Sequence, residues 1–125
     1  MKTLAFLISL SLALLTPLPA NAQEPGDWVL AQWRGGQFWF PGVVQARSGN
    51  TVSIAYDDGT QENLPVHLVQ PYTWRVGTRV ECQWAGGDEW YGGQITQMGS
   101  DGSTINVLYD DGDRETTRTG ACRSR

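Results

Sequence analysis

The chain says the same thing twice. From Gly26 it runs Gly-Asp-Trp-Val-Leu-Ala-Gln-Trp-Arg-Gly-Gly-Gln-Phe-Trp-Phe-Pro-Gly, and from Gly77 it runs Gly-Thr-Arg-Val-Glu-Cys-Gln-Trp-Ala-Gly-Gly-Asp-Glu-Trp-Tyr-Gly-Gly. Trp33 matches Trp84, Gly35 and Gly36 match Gly86 and Gly87, Trp39 matches Trp90, Phe40 matches Tyr91 and Gly42 matches Gly93, all at an offset of 51. The stretch Val-Ser-Ile-Ala-Tyr-Asp-Asp-Gly from Val52 then matches Ile-Asn-Val-Leu-Tyr-Asp-Asp-Gly from Ile105 at an offset of 53, the longer loop from Gly99 to Thr104 absorbing the difference. A chain built this way folds one small unit twice, and the repeat sets the architecture before any finer reading.

Each copy reads as short strands without a helix. Val29, Ala31 and Trp33 alternate with Leu30 and Gln32; Phe40, Gly42, Val44 and Ala46 form the next same-face series, and Val52, Ile54 and Tyr56 the third. The second copy keeps the parity with Val80, Cys82 and Trp84, then Tyr91, Gly93 and Ile95, then Ile105, Val107 and Tyr109. Asp58-Gly59 and Asp111-Gly112 are hairpin signals leading to fourth strands near Gln61 to Leu64 and Arg114 to Thr117. The expected fold is all-β, two tandem SH3-like five-stranded barrels. Units this small lie near the limit at which an apolar core suffices alone, and the connector from Pro71 to Val76 is short, so the two are expected to pack together with Tyr72 and Trp74 between them.

Residues 1–22 stand apart. Lys2, an apolar run from Leu4 to Leu15 too short to span a bilayer, and small residues at Ala20 and Ala22 read as an export signal cut before Gln23. The expected organisation is a signal at 1–22, repeat 1 at 23–71 and repeat 2 at 77–125, in a secreted or periplasmic protein. Without the signal the chain has no lysine, and eight Arg stand against thirteen Asp plus Glu, a net charge of −5. The arginines are scattered, which disfavours nucleic acid, whereas an acidic surface favours cationic partners or serves solubility alone.

Cys82 lies in the first strand of repeat 2 and Cys122 in its last. First and last strands are neighbours in small closed barrels, so a disulfide is expected in an oxidising compartment, closing the C-terminus; two buried thiols are the other reading. With two Cys and one His, a metal site is not expected.

In its Val-x-Ala-x-Trp (Val-x-Cys-x-Trp in the second copy), Gly-Gly, Trp-Phe/Tyr-x-Gly and Tyr-Asp-Asp-Gly segments with a following Glu, the chain resembles the Tudor and agenet families of the Royal superfamily over essentially all of residues 23–125. The resemblance implies an aromatic cage for methylated lysine or arginine, built from Trp33, Phe40, Tyr56 and Asp58 in repeat 1 and from Trp84, Tyr91, Tyr109 and Asp111 in repeat 2. The position after the turn glycine, aromatic in some tandem Tudor proteins, is Thr60 in one copy and Asp113 in the other, so each cage is expected to have three aromatic walls. Independently of the resemblance, an alkylated ammonium suits the negative faces of several rings with a carboxylate at the rim. The same rings share parity with the core, so plugging the barrel ends is the competing reading. Trp39 and Trp90 have the opposite parity and are expected between repeats or on the outer face, and Trp28 has no aromatic counterpart, Arg79 taking its place.

No nucleophile elbow, zinc-protease helix or phosphate loop is present, and Asp57-Asp58 and Asp110-Asp111 are neighbours whose side chains point to opposite faces. His67 reads as a turn residue. The expected function is a non-enzymatic, cofactor-free binding module for cationic or methylated side chains or peptides. Chromatin reading, the usual role implied by the resemblance, conflicts with an export signal. The alternatives are an envelope assembly protein without a pocket and a glycan-binding envelope module.

Overall fold

A computed structural model describes residues 23–125, and the expected export signal lies outside the described residues. The first sheet has strands β1 (Trp28–Gln32), β2 (Trp39–Ser48), β3 (Thr51–Tyr56), β4 (Gln61–Pro65) and β5 (Val69–Pro71). The second has β6 (Arg79–Gln83), β7 (Trp90–Met98), β8 (Thr104–Tyr109), β9 (Arg114–Arg118) and β10 (Cys122–Arg123). Their orders, β4-β3-β2-β1-β5 and β10-β6-β7-β8-β9, are the same meander closed by the last strand pairing with the first. Each sheet curls into an SH3-like barrel.

The curl comes from β2 and β7. Each carries a register shift, between Val44 and Ala46 and between Ile95 and Gln97, where a bulge bends the strand and raises its twist. Just before each bulge sits a glycine that the bend requires: a Cβ on Gly42 would lie 2.8 Å from the Ala55 carbonyl oxygen, and one on Gly93 2.6 Å from that of Leu108. The repeated glycines of the sequence mark this close approach.

Barrel 1 encloses Val29, Ala31, Val44, Val52, Ile54 and Tyr56, on the face expected from the sequence, together with Leu64 and Val69. Ala46, expected on that face too, is exposed because the bulge after Val44 shifts the register of the strand. Barrel 2 encloses Val80, Cys82, Ile95, Ile105, Val107, Tyr109 and Cys122, joined by Trp74 and by Leu30. Leu30 points away from its own barrel into the neighbouring core, so β1 is buried on both faces. Cys82 and Cys122 are directly opposed on β6 and β10 and form a disulfide. Trp74, buried, donates its indole N–H to Ser124 Oγ at 3.1 Å, and Tyr72 packs partly on the same cluster, so both connector aromatics lie where the two units meet. The residue 51 positions before Trp74 is Gln23, also buried, whose amide donates to the carbonyls of Val69 (2.9 Å) and Val66 (3.2 Å).

Backbone bonds join the barrels directly. Trp39 and Ser124 exchange N–H···O bonds of 2.7 and 2.9 Å, tying β2 to the end of β10. Buried Thr119 donates to Asp57 Oδ2 at 2.6 Å, and Gly120 lies so close to Asp57 that a Cβ there would meet its carbonyl oxygen at 2.7 Å. Trp39 packs on the barrel 2 core and Trp90 meets Phe40 edge-on, 6.1 Å between centroids, which places both between repeats.

Candidate ligand pockets

Both barrels place the aromatic sets at one end by the same local device. After β1 and β6 the chain makes a single 3-10 turn, Trp33–Gly35 and Trp84–Gly86, whose second residue is left-handed: Arg34 at φ 53° and Ala85 at φ 52°. Such a conformation in a non-glycine residue persists only where its surroundings hold it. A glutamate does so in each copy. Glu115 accepts the Ala85 N–H (2.8 Å) on one oxygen and the Tyr109 hydroxyl (2.6 Å) on the other, while Glu62 takes the Arg34 N–H (3.0 Å) and the Tyr56 hydroxyl (2.8 Å). The tryptophan turn and the tyrosine at the end of the third strand are thus locked together. Burial, then the glutamate bond, pushes both tyrosine hydroxyls far above the ordinary phenol range.

In barrel 2, Trp84, Tyr91, Tyr109 and Asp111 line one cavity of about 210 Å³, with Asp113 added at the rim. Trp84 and Tyr91 are 41% and 45% exposed although both are large rings, whereas Tyr109 is buried as the floor. Trp84 stands at 78° to Tyr109 with centroids 5.6 Å apart, an edge-to-face corner rather than a flat platform. The Tyr91 hydroxyl donates to Glu89 at 2.8 Å, which raises its pKa. Asp111 Oδ1 caps its own turn by accepting the Asp113 N–H at 2.9 Å, which holds the carboxylate at the pocket edge.

In barrel 1, Trp33, Phe40, Tyr56 and Asp58 likewise line one cavity, of about 340 Å³, but it is not the three-walled pocket expected. Trp90 of the other repeat supplies a fourth ring, and Arg123 lies beside it. The Arg123 Cζ is 4.0 Å from the Trp90 centroid and 3.6 Å from that of Phe38, with Nη2 paired to Glu81 at 2.9 Å. Arg34 adds a second guanidinium 5.0 Å from the Trp33 centroid. The corresponding residue in barrel 2 is Ala85, so the two pockets share rings and carboxylate but differ in charge.

The structure thus brings each expected set to one cavity, adds Thr60 and Asp113 from the position after the turn glycine, and adds Glu62, Glu115, Trp90 and Arg123, which the sequence did not single out. The glutamates were visible as the acid following each Tyr-Asp-Asp-Gly segment. Trp90 and Arg123 reach barrel 1 only through docking of the repeats. His67 sits in the 3-10 turn Val66–Leu68 before β5 and lines neither pocket.

A scan against known family models finds no match, and neither does a search of curated proteins. Among solved structures the chain is similar to Arabidopsis thaliana AGDP1 AGD34, at 16% identity over 82% of each chain with a TM-score of 0.40. It is also similar to the ADCP1 tandem Agenet domain 3-4, at 15% identity over 82% of this chain and 79% of that one with a TM-score of 0.39. Likeness at this level assigns no ligand. The fold stands on the strand pairing described above.

Proposed function

We propose that the chain is a non-enzymatic binding module whose barrel 2 pocket takes a methylated or otherwise alkylated cationic side chain of a protein or peptide. One observation carries the reading: Trp84 and Tyr91 leave large ring surface exposed at a cavity floored by Tyr109 and edged by Asp111 and Asp113, with no cation of the chain on those rings among the described residues. Exposed rings at an angle, with carboxylates beside them, suit a soft cation better than a sugar face, which needs a flat platform. The barrel 1 pocket is the poorer site for the same ligand, because Arg34 and Arg123 already lie against its rings.

Three rings at about 0.5–1 kcal/mol each, rising to ~2 when desolvated, amount to roughly 2–6 kcal/mol before association costs. A bare cation then binds at about the millimolar level, and useful affinity needs flanking peptide contacts. The Cys82–Cys122 disulfide and the leader-like residues 1–22 support an exported protein. N-terminal sequencing of the protein recovered from periplasm or medium should then begin at Gln23, and an intact Met1 terminus in the cytoplasm removes the export reading.

The binding test is an NMR and tryptophan-fluorescence titration with trimethyl-lysine and dimethyl-arginine peptides against unmodified controls. Methyl-dependent shifts at Trp84, Tyr91 and Tyr109, lost in a folded Trp84→Ala variant, are expected. No shift at millimolar ligand would leave the rings as barrel plugs and favour the assembly alternative.

A further inference from the structure

The repeat itself exposes a missing charge. In barrel 2, Arg79 at the start of β6 makes a two-pronged ion pair with Asp110, Nη1 to Oδ1 and Nη2 to Oδ2, both 2.8 Å. The guanidinium holds the Asp110 carboxyl below its ordinary range. The register equivalents in barrel 1 are Trp28 and Asp57. The backbone there is the same: Asp57 N–H donates to the Pro41 carbonyl as Asp110 N–H does to that of Gly92, each at 2.9 Å. The aspartate is retained and its cation is replaced by an indole.

That indole lines a cavity of about 200 Å³ on the seam between the barrels, with Asp57 and Tyr72 from repeat 1 and Asp101, Gly102 and Ser103 from repeat 2. Trp28 is 53% exposed, stands edge-on to Tyr72 with centroids 5.8 Å apart, and rests against Gly102, where a Cβ would come within 2.2 Å of the ring. Asp101 is held in its loop by the Ser103 and Thr104 N–H groups and the Thr104 hydroxyl. Thr119 uses one oxygen of Asp57. Arg118 reaches the same loop but donates to Ser103 Oγ at 2.8 Å, and neither Asp57 nor Asp101 pairs with an arginine within ion-pair distance among the described residues. The Tyr72 hydroxyl is the one buried side-chain polar atom among the described residues with no hydrogen-bond partner in the protein.

We propose that this seam is a second binding site, distinct from the aromatic barrel ends, that takes the guanidinium of an arginine side chain from a protein partner. The guanidinium stacks on Trp28 beside Tyr72 and pairs with the Asp57 oxygen that Thr119 leaves free, while Asp101 adds negative charge on the opposite wall. A planar fork with five donors matches the two carboxylates; a trimethylated ammonium has no donor to give them. The site exists only where the repeats meet, so it belongs to the pair of barrels and to neither alone.

The test is an NMR titration of the protein with N-acetyl-arginine amide, with the citrulline analogue as the neutral isostere and trimethyl-lysine amide as the donor-free cation. Shifts at the Trp28 indole N–H and at Tyr72 are expected with arginine at millimolar concentration and not with citrulline. Asp57→Asn, which keeps an acceptor for Thr119, should weaken binding by about three- to fivefold, the range of an exposed charge pair. Trp28→Arg should supply the missing cation from within and abolish the response while the spectrum stays folded. Three results would overturn the proposal: arginine shifts confined to Trp84 and Tyr91, Trp28 shifts unchanged by Asp57→Asn, or a Trp28 response to trimethyl-lysine equal to that of arginine. The barrel 2 pocket and this seam answer to different probes at different residues, so either fails without the other.

Discussion

The guanidinium of Arg123 lies 4.0 Å from the ring centroid of Trp90, against the wall of the barrel 1 pocket, so a cation of the C-terminal strand already faces the rings that an incoming cation would need. Arg123→Gln should therefore change which pocket responds. In the unmodified protein, trimethyl-lysine is expected to shift the barrel 2 residues Trp84, Tyr91 and Tyr109 and none of barrel 1; in the variant, Phe40 and Trp90 should respond as well. NMR titration of the two proteins side by side checks this, and equal responses of both pockets before substitution would contradict it.

Glu115 couples the left-handed Ala85 to Tyr109, and Glu115→Ala removes both bonds at once. The Tyr109 hydroxyl is then left without its acceptor, at a cost of about 1–3 kcal/mol. Glu115→Gln keeps an acceptor and should lose less. Urea denaturation of both variants gives the comparison, and a neutral Glu115→Ala would remove the role assigned to this residue.

The disulfide closes a segment of sequence separation 40, from β6 to β10. In the chain-entropy picture its loss destabilises by about 3–4 kcal/mol. The Cys82→Ser, Cys122→Ser pair should show that difference as a lower unfolding free energy in denaturant, with a somewhat larger m-value because the uncrosslinked unfolded chain exposes more surface. Because Ser124 and Arg123 follow Cys122, the variant should also loosen the Trp39–Ser124 pairing, seen as faster exchange of those two amides.

Gly120 is a contact point between barrels. An alanine there places its Cβ 2.7 Å from the Asp57 carbonyl oxygen, a rigid backbone atom, and should cost about 1–3 kcal/mol by overpacking. The same substitution should alter the seam, since Asp57 moves with it. Thermal unfolding together with the Trp28 indole signal tests both, and a variant of unchanged stability would mean that the seam yields more easily than its packing implies.

All four tyrosines hold their protons more tightly than an ordinary phenol of pKa 10.0. Burial, then the Asp57 charge, pushes Tyr72 up to about 12; burial followed by glutamate bonds raises Tyr56 and Tyr109, and the bond to Glu89 raises Tyr91. Above pH 10 the unfolded chain releases protons that the folded chain keeps, so this part of the stability is fully present below pH 10 and is lost as pH rises from there through about 12. Phenolate absorbance should appear together with the loss of folded circular dichroism. Ordinary titration of Tyr56, Tyr72 and Tyr109 near pH 10 in a folded protein would be inconsistent with their burial.

The sets Trp33, Phe40, Tyr56 and Asp58 and Trp84, Tyr91, Tyr109 and Asp111 were implied by the family resemblance, and the structure brings each set to one cavity. The repeat, its alternating parity and the Asp-Gly turns, by contrast, were enough to read two five-stranded barrels and the inward residues of each up to the bulge at Val44. These are local properties: a strand's period of two decides which side chains share a face, and a hairpin decides which strands are neighbours. The same closure made a Cys82–Cys122 bridge expected, with two buried thiols as the other reading, and the structure has the bridge. What periodicity does not encode is the placement of one closed barrel on another. Leu30 has the outward parity of its own strand and is core only because barrel 2 covers it. Trp90 and Arg123 belong to repeat 2 by sequence and to the barrel 1 pocket by position. Trp28 and Asp57 gain meaning only beside Asp101 and Gly102. Sequence determined the two units because each is specified by contacts within it; the tertiary structure decided their inequality, because docking buries one face of each and gives the pockets different charge.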